Sequence, residues 1–277
     1  LDADVGVPQM FCPAGLVDHR SLLALLGIPS IGNSATVMAM TADKSVARAV
    51  VAAAGVDVPA AVLVRRGERA PAFERPVVVK PVDADNSTGV ELVERTSELA
   101  PAIAAALDLS DAALVEDFVP LGREVRCGTI RRDGHVMALP LEEYAVDPVH
   151  APIRREHDKL ADDGDGLRLV AKNDTRAWIV PDATPDATDG DRDPVTAAVQ
   201  DMALTVHRAL GCSHHGLIDV RIDPSGRPWF LEAGPYCSFA PSSVVVMMAA
   251  AAGIDLAELF SDAVDVALDR TPIGASR

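Results

Sequence analysis

Lysine is scarce in this chain. Of 25 basic residues in 277, only Lys44, Lys80, Lys159 and Lys172 are lysines, and the other 21 are arginines. A lysine kept under such a bias marks a position for a compact ammonium, as in a point-charge contact to phosphate, although four scattered survivors fit chance equally well. Aromatic residues make up 4%, so any core is aliphatic, while 49% hydrophobic residues exclude disorder through lack of apolar surface. No apolar run reaches the roughly 18 residues of a membrane-spanning helix. The richest, Val244 to Ile254, reads as a core helix. The four cysteines, Cys12, Cys127, Cys212 and Cys237, lack CxxC spacing, so reduced and mostly buried thiols of a cytoplasmic protein are expected rather than disulfides or a metal site. The opening residues show neither a basic n-region nor an apolar h-region, and no secretion signal is expected. A net charge of -16 repels nucleic acid and anionic membrane surfaces, so neither is an expected partner. GxxxxGK[ST] and GxGxxG are both missing, which leaves a P-loop or dinucleotide fold unsupported.

The length predicts one or two packed domains. LLALLGIPSIG, Leu22 to Gly32, reads as a helix end, a Gly stop and a short strand, the remnant of a larger amino-terminal α/β domain. An Ala-rich helix after Thr41 carries Lys44 in its first turn and is closed by Gly55 and Pro59. Val77 to Val79 is a buried strand leading to Lys80, followed by a small polar loop with Ser87, Thr88 and Gly89 and a second short strand from Val90. A helix from Ser97 to Leu107 and a strand from Ala113 to Val119 complete this unit. Asp133-Gly134 predicts a hairpin between Glu124–Ile130 and His135–Leu141. Residues 143–168 and 181–193 have no clean period and are expected to be loops. Asp193 and Pro194 then start a helix with Val195, Val199, Met202, Val206 and Leu210 on its core face, ended by Gly211.

Chemistry concentrates on the strand Leu217 to Asp223. Strand alternation sends Ile218, Val220 and Ile222 to the core and Asp219, Arg221 and Asp223 to the opposite face. A hairpin at Pro224-Ser225-Gly226 brings Glu232 back beside Asp219. Two close carboxylates suit Mg²⁺, which keeps waters and shares nucleotide phosphate oxygens; a solvated face with a salt bridge to Arg221 accounts for the same spacing. Lys44 at a helix start, Lys80 at a strand end and the open backbone of Ser87-Thr88-Gly89 could supply the phosphate cradle.

In their order and spacing, LLALLGIPSIG with ADKSVAR, VVVKPVDADNSTGV, ALVEDFVPLGREVRCG, DKL and DVRIDPSGRPWFLEAGPYCSFAPSSVV resemble the ATP-grasp superfamily, in its D-alanine:D-alanine ligase branch. The resemblance implies an α+β fold in which two α+β subdomains, residues 36–120 and 121–277, clamp ATP behind an amino-terminal α/β remnant, residues 1–35. It implies an ADP-forming ligase that makes C–N bonds, with ATP and Mg²⁺ as cofactors, an amino acid among its small-molecule substrates, and a homodimer. Lys44 and Lys80 match the nucleotide-phosphate lysines, and Ser87, Thr88 and Gly89 the loop closing over the phosphates. Glu116, Phe118 and Val119 match the adenine hinge, and Glu124 the ribose contact. Lys159 falls in the loop that carries a lysine to the γ-phosphate, while Lys172 is either a loop or phosphate contact or a surface residue. Asp219 and Glu232 match Mg²⁺ ligands, and Ser243 the contact to the second substrate's carboxylate. Catalysis is expected from Lys80, Lys159 and Arg221.

The chain departs from the family pattern in three places. Glu232-Ala233-Gly234 lacks the amide of the usual Glu-x-Asn. The arginine two residues before the metal aspartate is Leu217 here, and Arg221 on the same face is expected to replace part of its charge. Residues 10–16, Met-Phe-Cys-Pro-Ala-Gly-Leu, lack the histidine-glycine and acidic motif, while Asp83 and Asp85 make the phosphate loop unusually acidic and either contact a substrate amine or a cation, or form a solvated tip. The segments LGREVRCG, LPLEEY and FLEAGPYCSFAP resemble ligases that join serine or threonine to mycosporine-glycine. A true dipeptide ligase, or an ATP-binding module without turnover, would fit the same motifs.

Overall fold

The computed structural model describes residues 3–12, 14–154, 160–162, 167–169, 177–180 and 193–269. Two antiparallel sheets organise them, each with an apolar face under helices and a polar face turned toward a shared cleft. The smaller sheet has the order β1-β4-β2-β3, formed by Ala61–Arg65 (β1), Val77–Pro81 (β2), Glu91–Val93 (β3) and Ala112–Asp117 (β4). Helix α4, Thr96–Leu109, covers one face by packing Leu99, Ala102, Ile103 and Ala106 against Val77, Val79, Ala113 and Val115. Because side chains alternate along a strand, burial of Val77 and Val79 sends Val78 and Lys80 to the opposite face, and burial of Val115 does the same for Glu116.

The larger sheet follows the same rule. Its path is β10-β7-β5-β11-β12, from Arg123–Arg132 (β5), Glu142–Tyr144 (β7), Ala177–Ile179 (β10), His215–Ile222 (β11) and Pro228–Ala233 (β12), and His135–Ala138 (β6) pairs with β5. Asp133 and Gly134 close the β5–β6 hairpin with positive φ at both positions, as the Asp-Gly pair predicts. Val125, Cys127, Ile218, Val220, Ile222 and Phe230 form the apolar face. Helix α5, Pro194–Leu210, lays Val199, Ala203, Val206 and Leu210 on it, its start held by Asp193 accepting from Thr196 N at 3.1 Å and its end set by Gly211 at φ +71°. Phe230 is fully buried in this layer, and truncating such a ring costs about 3–5 kcal/mol.

Helices α2, Ala35–Ala42, and α3, Lys44–Ala53, also join this core, through Val37, Ala47 and Val51. Hydrophobic packing therefore groups residues 35–53 with the larger sheet rather than with the smaller one, where a 36–120 unit would put them. Asp43 caps α3 by accepting from Ser45 N at 2.8 Å, which fixes Lys44 in the first turn. Helices α6, Val244–Ala251, and α7, Leu256–Asp269, pack beyond the polar face with Ile130 and Leu139. Among the described residues no single helix is long and apolar enough to cross a membrane.

Several expectations for the connections change. The strand expected before Gly32 is only a parallel bridge between Gly6 and Ser30, because α1, His19–Leu25, ends at Gly27 and leaves too short an extended run. Residues 143–168, read as loop, contribute part of β7 and the short pair Leu160–Asp162 (β8) and Leu167–Leu169 (β9). Strand β10 pairs with β7 although its own sequence has no strand period. The 181–193 expectation lies outside the described residues except for Asp193. Three cysteines are buried, Cys12 is exposed, and all four are free.

A buried polar cluster ties the amino-terminal segment to β11. Asn33 donates to the carbonyls of His215 and Pro235 and accepts from Ser213 N, at 2.7–2.8 Å, and Arg20 donates to the carbonyls of Ile31 and Asn33. His207, His214 and His215 crowd beside it, with His214 and His215 in contact through their Nδ1 atoms and Thr129 against His207. Burial, aided by the Arg131 charge, pushes His207 down to about 4; burial, the His207 ring and Arg131 do the same for His214. Burial and the neighbouring His214 hold His215 well below the ordinary value. The unfolded chain then binds protons that the folded chain refuses, so stability is full above about pH 6.5 and falls as the pH drops toward about 4. Urea unfolding is expected to give a lower midpoint at pH 5 than at pH 7, with a smaller drop in His207→Gln.

Candidate active site

The polar faces of the two sheets line a cleft with about 760 Å³ of empty space, its solvent-open mouth included. From the smaller sheet come Val78, Lys80 and Glu116, with Ser87 and Thr88 from the loop after β2 and Phe118 and Val119 from the crossing between sheets. The larger sheet supplies Glu124, Asp219, Arg221, Leu231 and Glu232, and α3 supplies Lys44. Most of the residues singled out in the sequence thus meet in one cavity. Gly89 does not line it but shapes the loop: its φ is +70°, and a Cβ there would meet Leu109 Cδ1 at 2.6 Å and Pro81 Cγ at 2.9 Å. Asn86 and Ser87 also adopt positive φ, a backbone that non-glycine residues hold at a cost. Asp83 and Asp85 are exposed at the loop tip, outside the lining.

Each buried cation on the cleft floor and wall faces a carboxylate. Lys80 reaches Glu116 at 2.5 Å, and Arg48 approaches the same carboxylate at 3.5 Å. Lys44 donates to the Ala84 carbonyl and lies 3.6 Å from Glu232. Arg221 pairs with Glu124, donates to the Val119 carbonyl and stands 5.6 Å from the Phe118 ring. This commits Arg221 to the side of the cleft formed by Phe118, Val119 and Glu124. The guanidinium on Asp219 is instead that of Arg126, at 2.7 Å, so the charge expected beside Asp219 from Arg221 comes from Arg126. Burial opposes the charge on Arg126, yet Asp219, Tyr144 and Glu142 hold it above its ordinary value. Burial and the nearby Glu142 keep the Tyr144 phenol protonated well above its usual range, against the pull of Arg126.

Asp219 and Glu232 are cross-strand partners, as the hairpin spacing predicts. A bulge at this point turns Leu231 and Glu232 toward the cleft in succession while Phe230 and Ala233 stay in the core. Two facing carboxylates fit the oxygen donors that Mg²⁺ takes from a protein while it shares phosphate oxygens, and the Lys44 ammonium lies beside one of them, Glu232. No group of three or more His, Cys, Asp or Glu residues able to hold a metal occurs among the described residues, so protein side chains there form no closed metal cage. Gly234 offers no amide, and a Cβ at that position would meet open space. Leu217 packs in the apolar cluster under α6 with Met137 and Ile179, where a charged side chain would be desolvated.

Ser243 stands at the start of α6, 3.8 Å from the Cys237 thiol and outside the cleft lining. Asp223 folds into its own turn with Ser225 and Trp229. Lys159 and Lys172 lie outside the described residues. Sequence reasoning missed Arg126, Tyr144, Ile153 and Arg154. Arg126 was within reach, two positions after Glu124 on an alternating strand and in register with Asp219; Ile153 and Arg154 sit in a stretch with no period to mark them. Replacing Glu124 by Leu strands Arg221 in the cleft wall and is expected to cost about 3–5 kcal/mol. The double replacement Glu124→Leu/Arg221→Met should recover much of that loss in urea unfolding.

Comparison with known proteins finds relatives in sequence and in fold. The family model described as D-ala D-ala ligase C-terminus matches residues 50–157 and 186–265. A D-alanine–D-alanine ligase of Gloeobacter violaceus is 31% identical over 260 residues, covering 90% of this chain and 77% of the relative. Among solved structures, the D-alanine–D-alanine ligase from Bacillus anthracis complexed with ATP superposes with a TM-score of 0.73 at 19% identity, over 96% of this chain and 80% of that one. The VanG D-Ala:D-Ser ligase from Enterococcus faecalis gives 0.74 at 22% identity, over 96% and 74%.

Proposed function

The chain belongs to the D-Ala–D-Ala ligase family of ATP-grasp proteins, and from that premise we propose that it phosphorylates a substrate oxygen at the expense of ATP and couples the activated group to the amine of an amino acid. One observation carries this reading: Lys44, Lys80, Asp219 and Glu232, drawn from distant segments, line a single cleft. ATP supplies the phosphoryl group, and Mg²⁺ offsets the charge of its phosphates.

In this reading Lys44 and Lys80 donate to phosphate oxygens, with Ser87 and Thr88 closing over them and Gly89 setting the loop. Glu116, Phe118 and Val119 form the adenine hinge. Glu124 takes the ribose hydroxyls, oriented by Arg221, whose own charge is balanced there rather than at the reacting atoms. Asp219 and Glu232 hold the metal. Lys159 is assigned to the terminal phosphate, and Ser243 to a substrate carboxylate. Catalysis then rests on positioning and on preorganised positive charge at the transferring phosphoryl group, with no covalent enzyme nucleophile.

For the substrate, we extend the proposal to a specialised pair, mycosporine-glycine with serine or threonine. Its support is that LGREVRCG and LPLEEY, the segments resembling such ligases, supply Arg126, Glu142 and Tyr144 beside Asp219. The family resemblance carries the further expectation of a homodimer, and the net charge and cysteine spacing carry that of a cytoplasmic protein with neither nucleic acid nor membrane as a partner. ADP and phosphate release should be measured with Mg·ATP and D-alanine, single L-amino acids, or mycosporine-glycine with serine, threonine or glycine. Release with one pair, lowered on the order of a hundredfold or more in Glu232→Gln, is the expected result. Release with D-alanine alone identifies a dipeptide ligase. Tight ATP binding without release from any pair overturns the ligase reading in favour of a binding module.

A further inference from the structure

Strand register sets Glu142, Arg126, Asp219 and Glu232 in one row across β7, β5, β11 and β12. Within it Arg126 spans both oxygens of Asp219: its Nε lies 2.7 Å from one, and its Nη2 donates to the other at 3.3 Å. Both side chains are only 17% exposed, so water and salt screen the pair little. Behind the guanidinium, 5.4 Å away, is the centroid of the Tyr144 ring, whose hydroxyl donates to Glu142. Arg126 is thus held from two sides. Lys44 holds the other end of the row more loosely, 3.6 Å from Glu232 while it also donates to the Ala84 carbonyl.

Charge decides what such a row can take. Asp219 and Glu232 bring two negative charges to the place assigned to the metal, and Arg126 returns one positive charge for good, since a guanidinium does not deprotonate. Lys44 balances the second carboxylate until, in the ligase reading, it turns to phosphate. Each carboxylate oxygen has two lone pairs, so Asp219 keeps acceptor capacity for a metal beside Arg126 but has little charge left to attract one. Phosphoryl-transfer sites use one or two divalent ions. Two would set four positive charges against a single uncompensated carboxylate, where no group of three or more His, Cys, Asp or Glu residues gathers among the described residues. Resting on the ligase reading above, we propose that Arg126 is the resident cation of Asp219 and stands in for a second divalent ion, so that the cleft takes one metal together with the nucleotide and has little affinity for a metal without it. Arg126 is then a positioning residue that acts through Asp219, and metal and nucleotide enter as one complex.

The test counts Mn²⁺ bound to the full chain by electron paramagnetic resonance, first without nucleotide and then with the non-hydrolysable analogue AMPPNP kept below the protein concentration. Wild type, Arg126→Gln and Arg126→Lys are compared. Wild type should hold about one Mn²⁺ per AMPPNP and bind Mn²⁺ at least about tenfold more weakly without it. Arg126→Gln, which keeps a donor for Asp219 and loses the charge, should bind nucleotide-free Mn²⁺ about tenfold or more tighter than wild type. Arg126→Lys restores the charge and should return that affinity to within about threefold of wild type. Two Mn²⁺ per AMPPNP in wild type overturn the proposal, as does nucleotide-free binding as tight as binding with AMPPNP. Unchanged or weaker Mn²⁺ binding in folded Arg126→Gln overturns it as well, leaving Arg126 a structural role only. Should Arg126→Gln fail to fold, the wild-type count and its dependence on AMPPNP decide. Failure of the ligase reading is recognised separately: wild type then releases no ADP with any substrate pair, while the Mn²⁺ count with AMPPNP is still read.

Discussion

The two-residue period of the strands on either side of the cleft is the constraint on which the rest of the structure depends. In the middle of β5 and β11, Val125, Cys127, Ile218, Val220 and Ile222 alternate inward and pack under α2, α3 and α5. The intervening positions are thereby forced to the other face, where Glu124, Arg126, Asp219 and Arg221 stand side by side. A slip of one residue would bury four charges and expose Val125, Ile218 and Val220, so core and site specify the same register. The smaller sheet repeats the device with Val77 and Val79 inward and Lys80 turned to the cleft. Function and folding share one alternation.

The charges so exposed are not left to water. Lys44, Lys80, Arg126 and Arg221 each lie against a carboxylate in a partly or fully enclosed wall. Enclosed ion pairs contribute little net stability, because desolvation offsets much of their attraction, but they fix side chains in one geometry. For the proposed binding of phosphates this has a direct use: cations already oriented need no reorganisation when a polyanion arrives. The departures from the family pattern fit the same logic. Leu217 sits where α6 closes over the sheet, an apolar setting that suits leucine, and a guanidinium appears instead at Arg126, one strand across.

A large part of this was legible in the sequence. Helix α5 and its ends followed from Asp193-Pro194 and Gly211, the β5–β6 hairpin from Asp133-Gly134, and the facing of Asp219 and Glu232 from the length of their hairpin. These are local effects: caps, turns and short registers depend on dihedral preferences and on neighbours a few residues away. Less legible was where α2 and α3 pack, since an amphipathic helix declares which side is apolar but not which sheet will cover it.

What the sequence determined by itself is the family, through the order and spacing of its motifs, and, through periodicity and turn chemistry acting along the chain, most of the residues that line the cleft between the two sheets. Tertiary structure alone decided which charges meet. Arg126 rather than Arg221 neutralises Asp219 because β5 and β11 align in that register. Glu232 faces the cleft because a bulge breaks the alternation that Phe230 would otherwise impose on it. Arg154 rests on Tyr144 because an aperiodic segment returns over strand β7. Ion pairs and stacking act through space at a few ångströms, and residues that a one-dimensional pattern leaves far apart reach that distance only once the sheets have formed.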